Sequence, residues 1–274
     1  MHPIEKLYKG RCIETGGKYK PHFWKAQPMV RKPLTYLGND RSPVQDDGQS
    51  LACLQRLNRL GLDLEIEVGQ FITAASRKDL PSAPYLKELL MSNVADEARH
   101  FDGFTKATEA YGAADGAISS DLQARWIAAA DETHPMLIAA TMETGVFLVT
   151  LGLMRLIGGS ELSDLAFRVA KDEARHVKLN RSLARKLGLS PDKLSKPVQE
   201  LVDDTLAYAV GDLSIPLLNG LDLDFFTSQS RELIAYGTAK VLDELTAARQ
   251  HVMPFEVPNA SLYDRETDDG LTVY

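Results

Sequence analysis

The pentapeptide DEARH occurs twice, at Asp96–His100 and at Asp172–His176, 76 positions apart. The repeat reaches beyond those five residues. Under the same shift Glu67 falls on Glu143, Gly69 on Gly145 and Phe71 on Phe147, so EVGQF in the first half answers ETGVF in the second. In each half a lone Glu precedes the Glu of the Glu-x-x-His by 30 residues. A chain with this internal period reads as a duplicated helical hairpin. Glu and His three apart on a helix project from one face, so each motif can aim a carboxylate oxygen and an imidazole nitrogen at a common point.

Two acidic residues compete for the lone position of the first half. Leu57, Leu60, Leu64, Glu67, Phe71 and Ala74 follow steps of three and four, which places them on one helix face. Glu67 lies in that apolar stripe and maps onto Glu143. Glu65 maps onto Thr141 and reads as facing away from the stripe. The sequence therefore selects Glu67.

Around the repeat the pattern is helical throughout. Residues 1–48 are rich in Pro, Gly and Lys without periodicity, which suggests an irregular N-terminal arm. A helix from about Ser50 ends at KDLPSAP, where Pro84 suits the first turn of a second helix running to Tyr111. A shorter helix is expected over 121–133. A long apolar one follows from Pro135 to about Leu156, with His134 at its start. After Gly158-Gly159, Ser160 is the expected cap of a fourth main helix to Leu187. Further helices are expected at 191–210 and 227–249, within an additional segment 189–260, before an acidic tail over 261–274. Strand signals are nearly absent. The expected fold is all-α, with a four-helix core over 49–188 and additional C-terminal helices.

Charge and cysteine usage narrow the function classes. The formal charge of −7 argues against a general nucleic-acid binder. Cys12 and Cys53 are the two cysteines and form no Cys-x-x-Cys pair, which argues against a zinc knuckle, a rubredoxin-like iron site and a disulfide scaffold. They read as reduced thiols of a cytoplasmic protein, and the N-terminus lacks the apolar stretch of a signal peptide. Between Pro135 and Gly158 the charged residues are Glu143 and Arg155. That length could cross a bilayer, but a carboxylate near its middle would be costly there. The reading taken is a helix enclosed by other helices, with no membrane partner.

The pairing of motifs carries the chemistry. Buried carboxylates without cations are either very costly or protonated. Two divalent cations offset four carboxylates in formal charge and leave two imidazoles neutral. Oxygen-plus-imidazole ligation suits iron or manganese better than a thiolate-seeking metal. The expected ligands are Glu67, Glu97, His100, Glu143, Glu173 and His176.

The pattern E…ExxH…E…ExxH, with DEARH at both pairs, resembles the ferritin-like diiron-carboxylate superfamily over residues 51–188. It is most similar to the branch of ribonucleotide reductase small subunits, the ligand-binding oxidases related to them, and bacterial multicomponent monooxygenases. The resemblance implies a ferritin-like four-helix bundle. It implies one metal at Glu67, Glu97 and His100, another at Glu143, Glu173 and His176, and Glu97 and Glu173 as bridges. It further implies that Asp96 supports His176 and that Asp172 supports His100, fixing each ring's tautomer. Phe71 and Phe147 would either flank the metals with apolar surface or simply pack the core. Arg99 and Arg175 are expected to pair with carboxylates on neighbouring helices.

The chain departs from each familiar branch. Phe104 stands where the reductase subunits commonly carry a radical tyrosine, and Phe147 where the monooxygenases commonly carry threonine. Gly69 and Ile138 replace the Val–Tyr crosslink of the ligand-binding oxidases, and Val169 replaces the extra histidine of arylamine N-oxygenases. The expected function is a dimetal oxidase or oxygenase, iron–iron or manganese–iron, with O₂ as co-substrate and a small organic substrate. Electrons would come from a ferredoxin or flavin reductase, and a homodimer is plausible for such a family. The alternatives are a radical-generating subunit that serves a separate catalytic protein, and a ferroxidase or peroxide-reducing protein.

Overall fold

The computed structural model describes residues 24–35, 47–78, 84–191 and 193–211. Most of the expected N-terminal arm, the expected helix at 227–249 and the acidic tail lie outside the described residues. Among the described residues the elements are helical: α1 (Asp47–Lys78), α2 (Pro84–Tyr111), α3 (Ala117–Glu132), α4 (Pro135–Met142), a π-helical turn (Glu143–Phe147), α5 (Leu148–Ile157), α6 (Gly159–Lys186) and α7 (Lys196–Val210). The protein is all-α.

Local chemistry explains most of the boundaries. His134 is extended at φ −169° and its Nδ1 accepts the Met136 N–H at 3.1 Å, with Pro135 in the first turn; a side-chain cap followed by Pro is a strong helix start. The expected cap Ser160 instead lies inside α6. Gly159 makes the reversal at φ 71°, a conformation that favours glycine, and its N–H is taken by Thr35 O at 3.2 Å. The third helix starts at Ala117, earlier than expected, because Asp115 Oδ1 accepts the Ala117 N–H at 2.8 Å. The last described helix starts at Lys196 rather than near 191, with Pro197 in its first turn.

The expected continuous helix 135–156 is broken into three by the π-helical turn. Thr141 Oγ1 donates to Leu137 O at 2.8 Å, and Thr144 Oγ1 to Ala140 O at 2.6 Å. Hydroxyls that bond back one turn loosen and bend a helix, and Gly145 adds backbone freedom beside them. Single π turns of this kind occur often at functional sites. This one carries Glu143, and all five of its residues are buried.

The two halves pack against each other. α1 packs on α2 and α5 on α6, while α1 and α6 both pack on α4. α7 covers α3 and α1, and the fully buried Trp126 of α3 donates its indole N–H to Thr205 Oγ1 of α7 at 3.1 Å. Leu54, Leu60 and Leu64 of α1 are at most 1% exposed, so Leu→Ala at any of them should cost about 2–5 kcal/mol. Gly61 permits one close approach: a Cβ there would lie 2.4 Å from the Phe104 ring of α2. The apolar stretch Pro135–Arg155 is long enough to cross a membrane, but its most apolar window is 94% buried inside the protein. Glu143 therefore lies in a protein interior, where its surroundings decide its state.

Candidate metal centre

Four helical segments deliver six side chains to one buried place. α1 supplies Glu65, α2 supplies Glu97 and His100, the π turn supplies Glu143, and α6 supplies Glu173 and His176. Each is at most 2% exposed. Glu65, Glu97, His100 and Glu173 can each place one donor atom within 4.8 Å of the others, and Glu97, Glu143 and His176 do the same. Glu97 belongs to both groups.

Both imidazoles present Nδ1 to the cluster. His100 Nδ1 lies 3.1 Å from Glu65, 3.2 Å from Glu97 and 3.1 Å from Glu173. His176 Nδ1 lies 3.0 Å from Glu97, 3.5 Å from Glu173 and 3.8 Å from Glu143. Glu97 and Glu173 thus sit between the two rings. The Nε2 atoms point outward to the opposite motif: His176 Nε2 is 3.1 Å from Asp96 Oδ2, and His100 Nε2 is 3.4 Å from Asp172 Oδ2. With a metal bound, a carboxylate at Nε2 would hold the proton on that nitrogen and leave Nδ1 as the lone-pair donor.

Glu67, the residue selected from the repeat, does not join either group; Glu65 takes its place. Glu67 Oε1 accepts from Gln123 Nε2 at 3.0 Å and from Gln70 Nε2 at 3.5 Å. The cause lies in the connections. Lys78 and Pro84 bound the first hairpin's connection, whereas in the second a single residue, Gly158, separates Ile157 from Gly159. The longer first connection moves the facing position on α1 back toward the N-terminus, so a strict shift of 76 does not name the carboxylate that reaches the donor groups. A usable signal was present: Asn58, Glu65 and Ile72 recur at intervals of seven, and all three are fully buried.

Two further residues escaped sequence reasoning. Asn180 Nδ2 donates to both oxygens of Glu143, at 2.7 and 2.8 Å. Trp24 donates its indole N–H to Asp172 Oδ2 at 2.7 Å and stacks on the His100 ring, centroids 6.1 Å apart. Asn180 lies seven residues beyond Glu173 on α6, a spacing that could have flagged it; Trp24 lies in an arm without periodicity, which gives no such clue. Arg175 pairs with Asp96 on the neighbouring helix, as expected; Arg99 pairs with Asp96 on its own helix and also feels the charge of Asp172 on α6. Phe71 and Phe147 are both buried within the hydrophobic core.

Charge in the cluster is unevenly distributed. Burial pushes the Glu65 carboxyl well above the usual range despite His100 beside it. Burial and the nearby Glu173 raise Glu143 in the same way. Burial also opposes ionisation of Glu97, but the His176 and His100 rings outweigh it and bring Glu97 down to about 2. Against their own burial, the surrounding carboxylates raise both histidines well above the usual imidazole range.

The donor atoms suit a cation. Glu65 Oε1, both oxygens of Glu97 and of Glu173, and His176 Nδ1 are buried without a hydrogen-bond partner. Such atoms are costly to enclose unless something positive meets them. Carboxylate and imidazole together, with no thiolate in the group, form a donor set for a divalent metal ion.

Comparison of the chain with protein-family models, with curated proteins and with solved structures finds no match. What stands is a helical protein whose buried glutamates and histidines could hold metal, an arrangement compatible with a dimetal-carboxylate fold.

Proposed function

We propose that this protein is a dimetal-carboxylate oxidoreductase that uses O₂ to oxidise a small organic substrate. The observation that supports the reading is the sharing of Glu97 by two donor groups, with Glu173 also reaching both histidines. Two cations a few ångströms apart need carboxylates that span them, and a single-metal site does not.

Glu65, Glu97 and His100 would hold one ion, Glu143 and His176 the other, and Glu97 and Glu173 would lie between them. A bound iron pair, or manganese with iron, supplies the two electrons that O₂ reduction requires at one place, replenished from a separate ferredoxin or flavin reductase. The chain's own groups set the conditions. Asp96 and Asp172 hold the Nε2 protons, so the imidazoles keep one orientation. Asn180 fixes Glu143 by donating to both its oxygens. The enclosure of all six side chains excludes bulk water from the donors.

Metal analysis tests this directly: about two iron or manganese ions per chain are expected. The reduced, metal-loaded protein should consume O₂, and an organic substrate should raise the turnover. A metal-free protein under anaerobic iron(II) loading would refute the reading. Iron mineral growth with no response to any organic compound would transfer the assignment to a ferroxidase.

A further inference from the structure

A cavity of about 610 Å³ opens between α1 and α2 and reaches Glu97. That volume lies in the range of small-molecule sites. Its walls are mainly apolar: Ile66 from α1 faces Val94, Ala98 and Phe101 from α2. Gly69 forms part of the wall over Glu97. A Cβ built at Gly69 would lie 3.6 Å from Glu97 Cβ and Cγ, so the absence of a larger side chain leaves the passage toward that carboxylate open. Arg77 lies at the other end, two turns along α1. It is exposed and has no ion-pair partner among the described residues. From Gly69 to Arg77 the helix rises about 12 Å.

We infer that this cavity binds an organic anion with an apolar body, the anionic group at Arg77 and the apolar end over Gly69 beside Glu97. The inference rests on the proposed dimetal reading for what happens to the bound molecule, but the binding itself stands on the cavity alone. The guanidinium offers a planar fork to a carboxylate. Between Arg77 and Gly69 the wall carries Gln70 and Thr73, which already donate to Glu67 Oε1 and to Gly69 O within α1, so it offers burial to a chain and few free groups to a polar molecule. The bound end nearest Glu97 is then the end presented to the metal centre. A strongly hydrated sugar matches neither wall nor rim.

The test is calorimetric titration of the full, metal-loaded chain with decanoate, decanol and decyltrimethylammonium. Saturable binding of decanoate is expected, with the ammonium compound weaker. An exposed ion pair contributes up to about 1 kcal/mol, so Arg77→Gln should weaken decanoate roughly threefold to fivefold and leave decanol unchanged. Gly69→Leu and Ala98→Phe should each fill the cavity from one wall and remove decanoate binding while metal content stays constant. Ala98 is exposed on α2, so its variant tests the idea even if Gly69→Leu does not fold. No saturable decanoate binding, or binding that survives both filling variants, overturns the inference. Metal content and O₂ uptake are read separately. Failure of decanoate alone, with both of these intact, removes the cavity assignment only. Decanoate binding in a chain that takes up no metal removes the dimetal reading and leaves the cavity assignment standing.

Discussion

Glu97 Oε1 lies 3.0 Å from His176 Nδ1 on the opposite motif, closer than Glu97 Oε2 comes to His100 Nδ1 on its own helix, at 3.2 Å. Each DEARH segment therefore contributes a donor to the opposite donor group as well as to its own. Neither half of the repeat could assemble the donor set alone, because Glu97 of α2 and Glu173 of α6 each reach both histidines.

Ligand variants should separate the two acidic candidates on α1. Glu65→Gln removes a carboxylate donor that a cation would ionise, and should cost at least half of the bound metal. Glu67→Gln should keep the full complement, because Glu67 is held by Gln123 and Gln70. Glu97→Gln should lower occupancy of both positions. Metal content per chain after anaerobic loading and desalting decides the matter; the reverse order for Glu65 and Glu67 would restore the assignment made from the repeat.

Metal should stabilise the fold strongly. A ligand at one hundred times its dissociation constant adds about 2.7 kcal/mol to the native state. For a chain of this size that raises the melting temperature by about 5–10 °C. Differential scanning calorimetry with iron(II) or manganese(II), and again after a chelator, gives the shift. An unchanged melting temperature would mean that the ions do not meet the buried oxygens.

Asp203 on α7 gives a pH dependence away from the centre. Partial burial, with Asp204 and Glu200 alongside, pushes its carboxyl up to about 6. The folded state then holds this proton more tightly than the unfolded chain, whose aspartate titrates near 4. The favourable contribution is fully present below about pH 4 and is lost as pH rises through about 6. Asp203→Asn should remove this dependence and raise stability at pH 7 by about 1 kcal/mol, once solvent screening of a partly exposed group is allowed for. Urea melts of both proteins at pH 4.5 and pH 7 measure the difference.

Cys53 should be inert in the native state. It is fully buried, its Sγ lies 3.4 Å from Ala209 O, and burial pushes the thiol up to about 12 although Arg56 acts in the other direction. The thiolate is the reactive form. In a chain carrying Cys12→Ser, iodoacetamide at pH 8 should label Cys53 only as fast as the protein unfolds. Rapid labelling of the folded chain would contradict the packing of α1 against α7.

Much of the helical order was legible because apolar period and punctuation agree. Pro84, the His134-Pro135 pair and the Gly158-Gly159 pair each mark a boundary that the backbone uses. The two Glu-x-x-His pairs were legible because spacing within one helix is fixed by its geometry. Register between helices is not fixed in that way. It depends on connection length, and so Glu65 was exchanged for Glu67. The π turn was hidden for a related reason: the hydroxyls of Thr141 and Thr144 that loosen the helix look like ordinary interior residues in a one-dimensional pattern. Trp24 acts through contacts with Asp172 and His100 across more than 70 positions, a distance over which no local pattern carries information.

The π turn leaves the two halves of the repeat lopsided. On one side Glu143 stands on a widened coil and is gripped by the Asn180 amide; on the other Glu65 stands on regular helix, and the position matching Asn180 is Phe104, lodged over Gly61. Two seats built so differently would not treat two guests alike. A mixed pair of elements would sort itself between them, and the more loosely held ion would leave first.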